Sequence, residues 1–191
     1  MKNNKMNVLF LSNMIAEKGV WTMVEAAKIL HEKNLPVEFH FVGKWSDITE
    51  EVFKRALIES HLEDVCFAHG GKYGKEKDEF WAAADVFVFP TFYHNECFPL
   101  VLLEAMQHHL PCISTTEGGI PGIIDDKETG FLIEKHDFQT LADKLEYFIE
   151  HPEESERMGE NGYRKFQDKF TLKKFEESMV DILNDCLHSE A

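Results

Sequence analysis

Six short apolar, β-branched or aromatic runs, at residues 8–12, 37–42, 65–68, 86–90, 112–115 and 130–133, recur along the chain. Each has the length and composition of a strand buried on both faces. Between them lie stretches with helical spacing. Val20, Val24 and Ala27 share one face with Leu30 nearby, and Leu57 and Ile58 lie in a segment that Asp47 and Glu50 are placed to open as a capping box. Helices between successive strands imply right-handed crossovers. The pattern therefore predicts an α/β, Rossmann-like, doubly wound parallel sheet with helices on both faces.

After the last run the pattern is purely helical: Phe138, Leu141, Leu145 and Phe148 on one face, then Leu172, Phe175, Met179 and Leu183 on another. Pro152 and Gly162 punctuate this tail. These extra C-terminal helices either pack back or meet a partner. No repeat and no Ser/Gly linker marks a second domain, so residues 1–191 are expected to form one.

The formal charge of -15 argues against nucleic-acid backbones and anionic lipid as partners, so any anion must be held locally. Cys66, Cys97, Cys112 and Cys186 lack metal-ligand spacing and read as buried thiols of a reducing cytoplasm. The polar start, residues 1–7, shows no signal peptide, and the apolar runs are too short to span a bilayer. His69, His94, His108 and His109 form no i, i+4 pair with a third ligand, so no metal is expected.

In such sheets ligands sit beyond the carboxyl ends of the strands. The first run leads through Asn13 to Lys18 and Gly19 at a helix start, where free amides and an ammonium suit a phosphate; an ordinary turn lysine fits the spacing equally well. Gly43 after the second run, and Gly70, Gly71 and Gly74 after the third, mark either tight turns or close approach to a ligand. The most informative segment is PTFYHNECFPLVLLEAM, residues 90–106. A loop with Asn95 and Glu96 precedes a helix expected to begin near Phe98 and Pro99. Glu104 falls within that helix among Val101, Leu102, Leu103, Ala105 and Met106, so the helix is expected to be buried nearly all round, and its carboxylate to need a partner. Two such acids suit two parts of one polyhydroxylated ligand, while the amides of Phe98 and Leu100 face its phosphate: a nucleotide sugar. In the loop from Thr115 to Gly122, glycines and hydroxyls form an anion nest or, on the better-supported reading, cap the next short helix.

Together, AEKGV at 16–20, DVFVFPT at 85–91, NECFPLVLLEAM at 95–106, GGIPGII at 118–124 and TGFLI at 129–133 resemble glycosyltransferase family 4, retaining enzymes of the GT-B fold, over nearly the whole chain. The Glu-x7-Glu pair, Glu96 and Glu104, matches the family signature. The resemblance implies the C-terminal, donor-binding half of such an enzyme, with an N-terminal acceptor domain as partner. Glu104 would bind the donor ribose and Glu96 a hydroxyl of the transferred sugar. The segment Cys97, Phe98, Pro99 and Leu100, with its free amides, would lie near the sugar and diphosphate, and Lys18 would neutralise the latter. Asn13, Gly43 and Gly70 complete the implied donor site, and Glu96 and Lys18 the implied catalytic pair.

The implied reaction moves a sugar from a nucleoside diphosphate to a saccharide or lipid-linked acceptor with retention, without cofactor or obligatory metal, in polysaccharide or glycoconjugate assembly. It implies a cytoplasmic protein, whose only attachment to the inner face of the membrane would be peripheral and through the acceptor domain. Asn13 stands where the family usually has Arg, and Gly122 where it has an acid. The family's typical enzyme is about twice as long. A non-catalytic nucleotide-sugar-binding or interaction module is the alternative; the Glu-x7-Glu spacing disfavours an epimerase or a pyridoxal-phosphate phosphorylase.

Overall fold

A computed structural model describes residues 5–188, so residues 1–4 and 189–191 of the expected domain and polar start lie outside the described residues. The strands are β1 (Met6–Leu11), β2 (Val37–Val42), β3 (Cys66–Ala68), β4 (Val86–Phe89), β5 (Cys112–Thr115) and β6 (Gly130–Ile133). They form one sheet in the order β3-β2-β1-β4-β5-β6, with every neighbouring pair parallel. The helices are α1 (Val20–Glu32), α2 (Glu50–Glu59), α3 (Lys75–Ala83), α4 (Leu100–Gln107), α5 (Ile120–Ile123), α6 (Phe138–Glu150), α7 (Pro152–Lys169) and α8 (Leu172–His188). This is the Rossmann-like α/β fold with C-terminal helices that the alternating pattern predicts.

The strands are continuous apolar runs because both faces are covered: all four residues of β4 are buried, as are all four of β5. Phe10 sits 5.8 Å from Phe41 and 6.3 Å from Phe89, an aromatic band across three neighbouring strands. Each such ring contributes about 1.5–3 kcal/mol relative to leaving it in water. Around the sheet, α1 packs on α6 and α4 on α7. Leu141, Ala142, Leu145 and Phe148 form the buried face of α6.

Several local expectations change. β1 starts at Met6 and ends at Leu11, although Ser12 N–H still donates to Val42 O at 3.0 Å. Val65 and Pro90 fall outside their strands. The cap of α2 is Thr49, which accepts from Val52 N–H, whereas Asp47 accepts from Ala16 N–H in the neighbouring loop. Ile58 is exposed on α2, and Phe138, the first residue of α6, is exposed too. Gly162 lies inside α7 beside Met106, so only Pro152 punctuates the tail. Cys66 and Cys112 are buried, and burial pushes both thiols up to about 12. Cys97 and Cys186 are exposed, the first in the loop before α4 and the second on α8.

α8 adjoins α7, yet Leu172, Phe175, Met179, Val180, Leu183 and Leu187 are between 41% and 74% exposed. Its apolar stripe, at helical spacing, does not pack back onto the sheet.

Candidate functional site

The strand order reverses between β1 and β4, which are neighbours in the sheet although β2 and β3 lie between them in the sequence. Loops leaving two such strands diverge and open a crevice above the sheet. Lys18 comes from the loop after β1 and Glu96 from the loop after β4.

Lys18 closes a 3-10 turn, Ala16–Lys18, that ends on Gly19 at φ +86°. A Cβ on Gly19 would stand 2.2 Å from Pro90 O, so only glycine combines this left-handed turn with contact to the end of β4. Two hydrogen bonds stitch the loops: Phe92 N–H donates to Glu17 O at 2.8 Å, and Thr91 Oγ1 donates to the same carbonyl at 3.3 Å. The Lys18 ammonium then reaches Glu96 Oε2 at 2.5 Å, joining residues 78 apart in sequence. It also lies 4.3 Å from the Tyr93 ring centroid and 5.6 Å from that of Phe89. The side chains are only 15% and 11% exposed, so the pair sits in a partly dry, aromatic-walled corner where charge-assisted bonds are strong.

Glu104 projects from α4 and is about one-third exposed. The helix is therefore not buried nearly all round: Leu100 and Gln107 are exposed as well. The partner that its carboxylate was expected to need is Lys77 of α3, whose ammonium lies 3.0 Å from Oε1 and 2.9 Å from Oε2. Nothing in the spacing of the charged KEKDE run singles Lys77 out, and neither Tyr93 nor Asp47 carries a sequence signal for its place here.

Pro99 is buried at the N-cap of α4, one residue earlier than Pro usually stands, and offers no side-chain cap. Leu102 N–H donates to Pro99 O at 3.1 Å, so the first-turn amides of Leu100 and Val101 are the ones left for solvent or a ligand. Cys97, Phe98 and Leu100 around it are exposed. The loop after β5 docks here too. Gly119 N–H donates to Cys97 O at 2.8 Å, and Gly118, at φ +51°, approaches so closely that a Cβ would be 1.6 Å from Glu96 O. Side-chain capping, the better-supported expectation for this loop, is not found: α5 has no side-chain cap, and the glycines hold the Glu96 loop instead.

On the other side of the rim, Gly43 N–H donates to Gly70 O at 2.9 Å, and Met14 N–H to Lys44 O at 2.8 Å, beside exposed Asn13. Glu117 pairs with Lys135 beyond β6, and the His136 ring lies against that of Phe92, tilted by 48° with centroids 4.0 Å apart. The loops at the carboxyl ends of the six strands thus form a continuous hydrogen-bonded and packed rim. It unites Lys18, Glu96 and the 97–100 segment around the β1–β4 crevice, pairs Gly43 with Gly70 above β2 and β3, and ties Glu104 to α3. Each of the two acids has its own lysine. Chemically, the rim offers two ammonium groups, two carboxylates and uncapped helix amides, the complement of a molecule with both anionic and polyhydroxyl parts.

The sequence model for glycosyl transferases group 1 matches residues 1–165. The capsular polysaccharide biosynthesis glycosyltransferase CapM of Staphylococcus aureus is 26% identical over 185 residues, which are 97% of this chain and 47% of CapM. The crystal structure of the C-terminal domain of LpcC, a glycosyl transferase group 1 family protein from Francisella tularensis, superposes with a TM-score of 0.77 at 26% identity, covering 87% of each chain. HepE of Anabaena, in complex with UDP and glucose, shares the fold with a TM-score of 0.84 at 20% identity, covering 95% of this chain and 48% of HepE. The chain spans about half the length of such full-length relatives. Among the described residues no helix is long and apolar enough to cross a membrane. With a family match over most of its length and the fold of that family's C-terminal domain, the chain belongs to the group 1 glycosyl transferases.

Proposed function

We propose that residues 1–191 form one donor-binding domain of a retaining family 4 glycosyltransferase, which transfers a sugar from a nucleoside diphosphate to a saccharide or lipid-linked acceptor hydroxyl in polysaccharide or glycoconjugate assembly. An N-terminal acceptor domain forms the opposite wall of the cleft. The observation that carries this reading is the Lys18–Glu96 pair at the point where the strand order reverses. In this reading the Lys18 ammonium exchanges its internal carboxylate for the donor diphosphate. Glu96, released, accepts a hydroxyl of the transferred sugar, and the amides of Cys97, Phe98 and Leu100 at the N-terminal end of α4 add a positive dipole end. Glu104 accepts the ribose hydroxyls. Catalysis then consists of stabilising charge on the departing diphosphate and of positioning, with no metal required. HepE, which shares the fold, was captured with UDP and glucose, and CapM is named for capsular polysaccharide biosynthesis; both support this assignment. Exposed Asn13 supplies no charge where the family resemblance implies a second cation, which places more of the diphosphate neutralisation on Lys18.

Titration calorimetry against uridine, guanosine and adenosine diphosphate sugars tests the reading. One series is expected to bind, and Glu104→Ala to weaken it by about 1–3 kcal/mol, because a charged hydrogen bond is lost. Unchanged affinity in a folded Glu104→Ala protein would remove Glu104 from the site. Binding without donor hydrolysis or transfer, even with an acceptor domain added, would favour a non-catalytic nucleotide-sugar module.

A further inference from the structure

Lys77 lies in a run of charged residues, 75–79, with acids on either side of it at Glu76 and Asp78. Glu76 is taken by Lys72 at 2.9 Å, and Lys77 instead reaches from α3 across to α4, 27 residues away, to contact both oxygens of Glu104. Exposed lysines on helices ordinarily pair one turn away on their own helix, as Lys54 does with Glu50 here. A two-oxygen contact between helices, with side chains 26% and 37% exposed, is a different arrangement. An ionised carboxylate has about four acceptor positions, two on each oxygen. The ammonium occupies one on each, leaving one on each unfilled by the lysine, on a side chain whose rotamer freedom the double contact restricts. Two remaining acceptors on one restrained carboxylate match two adjacent hydroxyls.

Resting on the assignment of Glu104 to the ribose, we propose that Lys77 is a positioning residue of the donor site. It holds the Glu104 carboxylate oriented so that both oxygens accept the vicinal 2′- and 3′-hydroxyls of the nucleotide. Lys77 itself does not touch the donor. Its contribution therefore depends on those hydroxyls being present and is absent for a nucleotide that lacks them.

Calorimetry on the full chain with UDP and with 2′,3′-dideoxyuridine diphosphate separates the possibilities, with circular dichroism confirming that each variant is folded. The unaltered protein is expected to prefer UDP by about tenfold. Lys77→Ala should lower UDP affinity by a similar factor while leaving the dideoxy nucleotide unchanged, so that the preference collapses; Lys77→Arg, which keeps a cation able to span both oxygens, should restore it. Equal loss for both nucleotides, or no loss for either, in a folded Lys77→Ala protein would overturn the role of Lys77 while leaving the Glu104 assignment intact. Equal binding of both nucleotides by the unaltered protein, or an undiminished preference in Glu104→Ala, would overturn the ribose assignment and this inference with it; where neither uridine nucleotide binds, the same comparison with GDP or ADP and its 2′,3′-dideoxy analogue decides, and no binding of any of the three overturns both.

Discussion

At the scale of single residues, the site depends as much on what is missing from side chains as on the charges. Gly118 combines φ +51° with a position where a Cβ would meet Glu96 O at 1.6 Å. Gly118→Ala is expected to cost about 2 kcal/mol or more in urea denaturation, through backbone strain and displacement of the carbonyl. Because that carbonyl belongs to Glu96, donor affinity should fall with stability; a variant with native stability and affinity would show that the two loops are not coupled. Lys18 and Glu96 were legible in the sequence because each stands between an apolar strand and a helix start, where chemistry is expected in this architecture. Lys77 was not, since a lysine among alternating charges looks like any solvated helix face, and only its ion pair from α3 to α4 reveals its target. The rationale for Gly118 was equally hidden. Its sequence neighbours suggested a capped helix, whereas its physical neighbour is a backbone oxygen more than twenty residues away.

At the scale of elements, strands were easier to place than the turns that join them. Burial on both faces writes itself into an uninterrupted apolar run, so β2, β5 and β6 fall where their sequence runs lie. Caps depend on one hydroxyl or carboxylate among several nearby: Thr49 took the role expected of Asp47, which had a neighbouring loop to hold. Pairing between elements also fixes the behaviour of two histidines. His40 of β2 and His69, just after β3, place Nδ1 and Nε2 3.0 Å apart in a cavity of about 260 Å³, lined also by Asn7, Leu9 and Phe80 of α3. Burial lowers the pKa of His69 to about 4, with His40 and Lys72 adding to the effect. Burial also lowers that of His40, against the opposing pull of Glu38.

A base whose folded pKa lies below its unfolded value of 6.5 contributes stability that is fully present above about pH 6.5 and is lost as pH falls toward 4, because the unfolded chain takes up the proton first. Denaturation at pH 5 against pH 7.5 should therefore show an acid loss of which His69 accounts for on the order of 1 kcal/mol, reduced from the full shift because the ring is partly exposed. In His69→Gln that part of the loss should vanish. An identical pH dependence in the variant would assign the acid sensitivity to other groups.

At the scale of the whole molecule, one sheet carries the stability, and the final helix contributes little to it. Seven large apolar side chains of α8 are more than two-fifths exposed, and the family match ends at residue 165, before this helix. Removing residues 172–191 is expected to change stability by less than about 1 kcal/mol, a shift in melting midpoint of roughly 2–4 °C at most. A larger fall, measured by circular dichroism, would show that α8 packs on the sheet in solution. The sequence had marked this stripe as needing a surface, and helical periodicity cannot say whether that surface belongs to the same chain.

The path of the chain through the sheet has a consequence of its own. It leaves the centre after β1, travels out to β3 at the edge, and returns to β4 beside its starting point. The stretch through Gly74 therefore owns the ammonium at position 18, and the stretch beyond it owns its partner acid at 96 together with the intact pair of positions 77 and 104. A protein severed at the exposed turn around residues 71–74 would yield two fragments, neither carrying both members of the 18–96 pair, and only their reassociation would recreate it. The architecture behaves in this respect as a natural split reporter of its own folding.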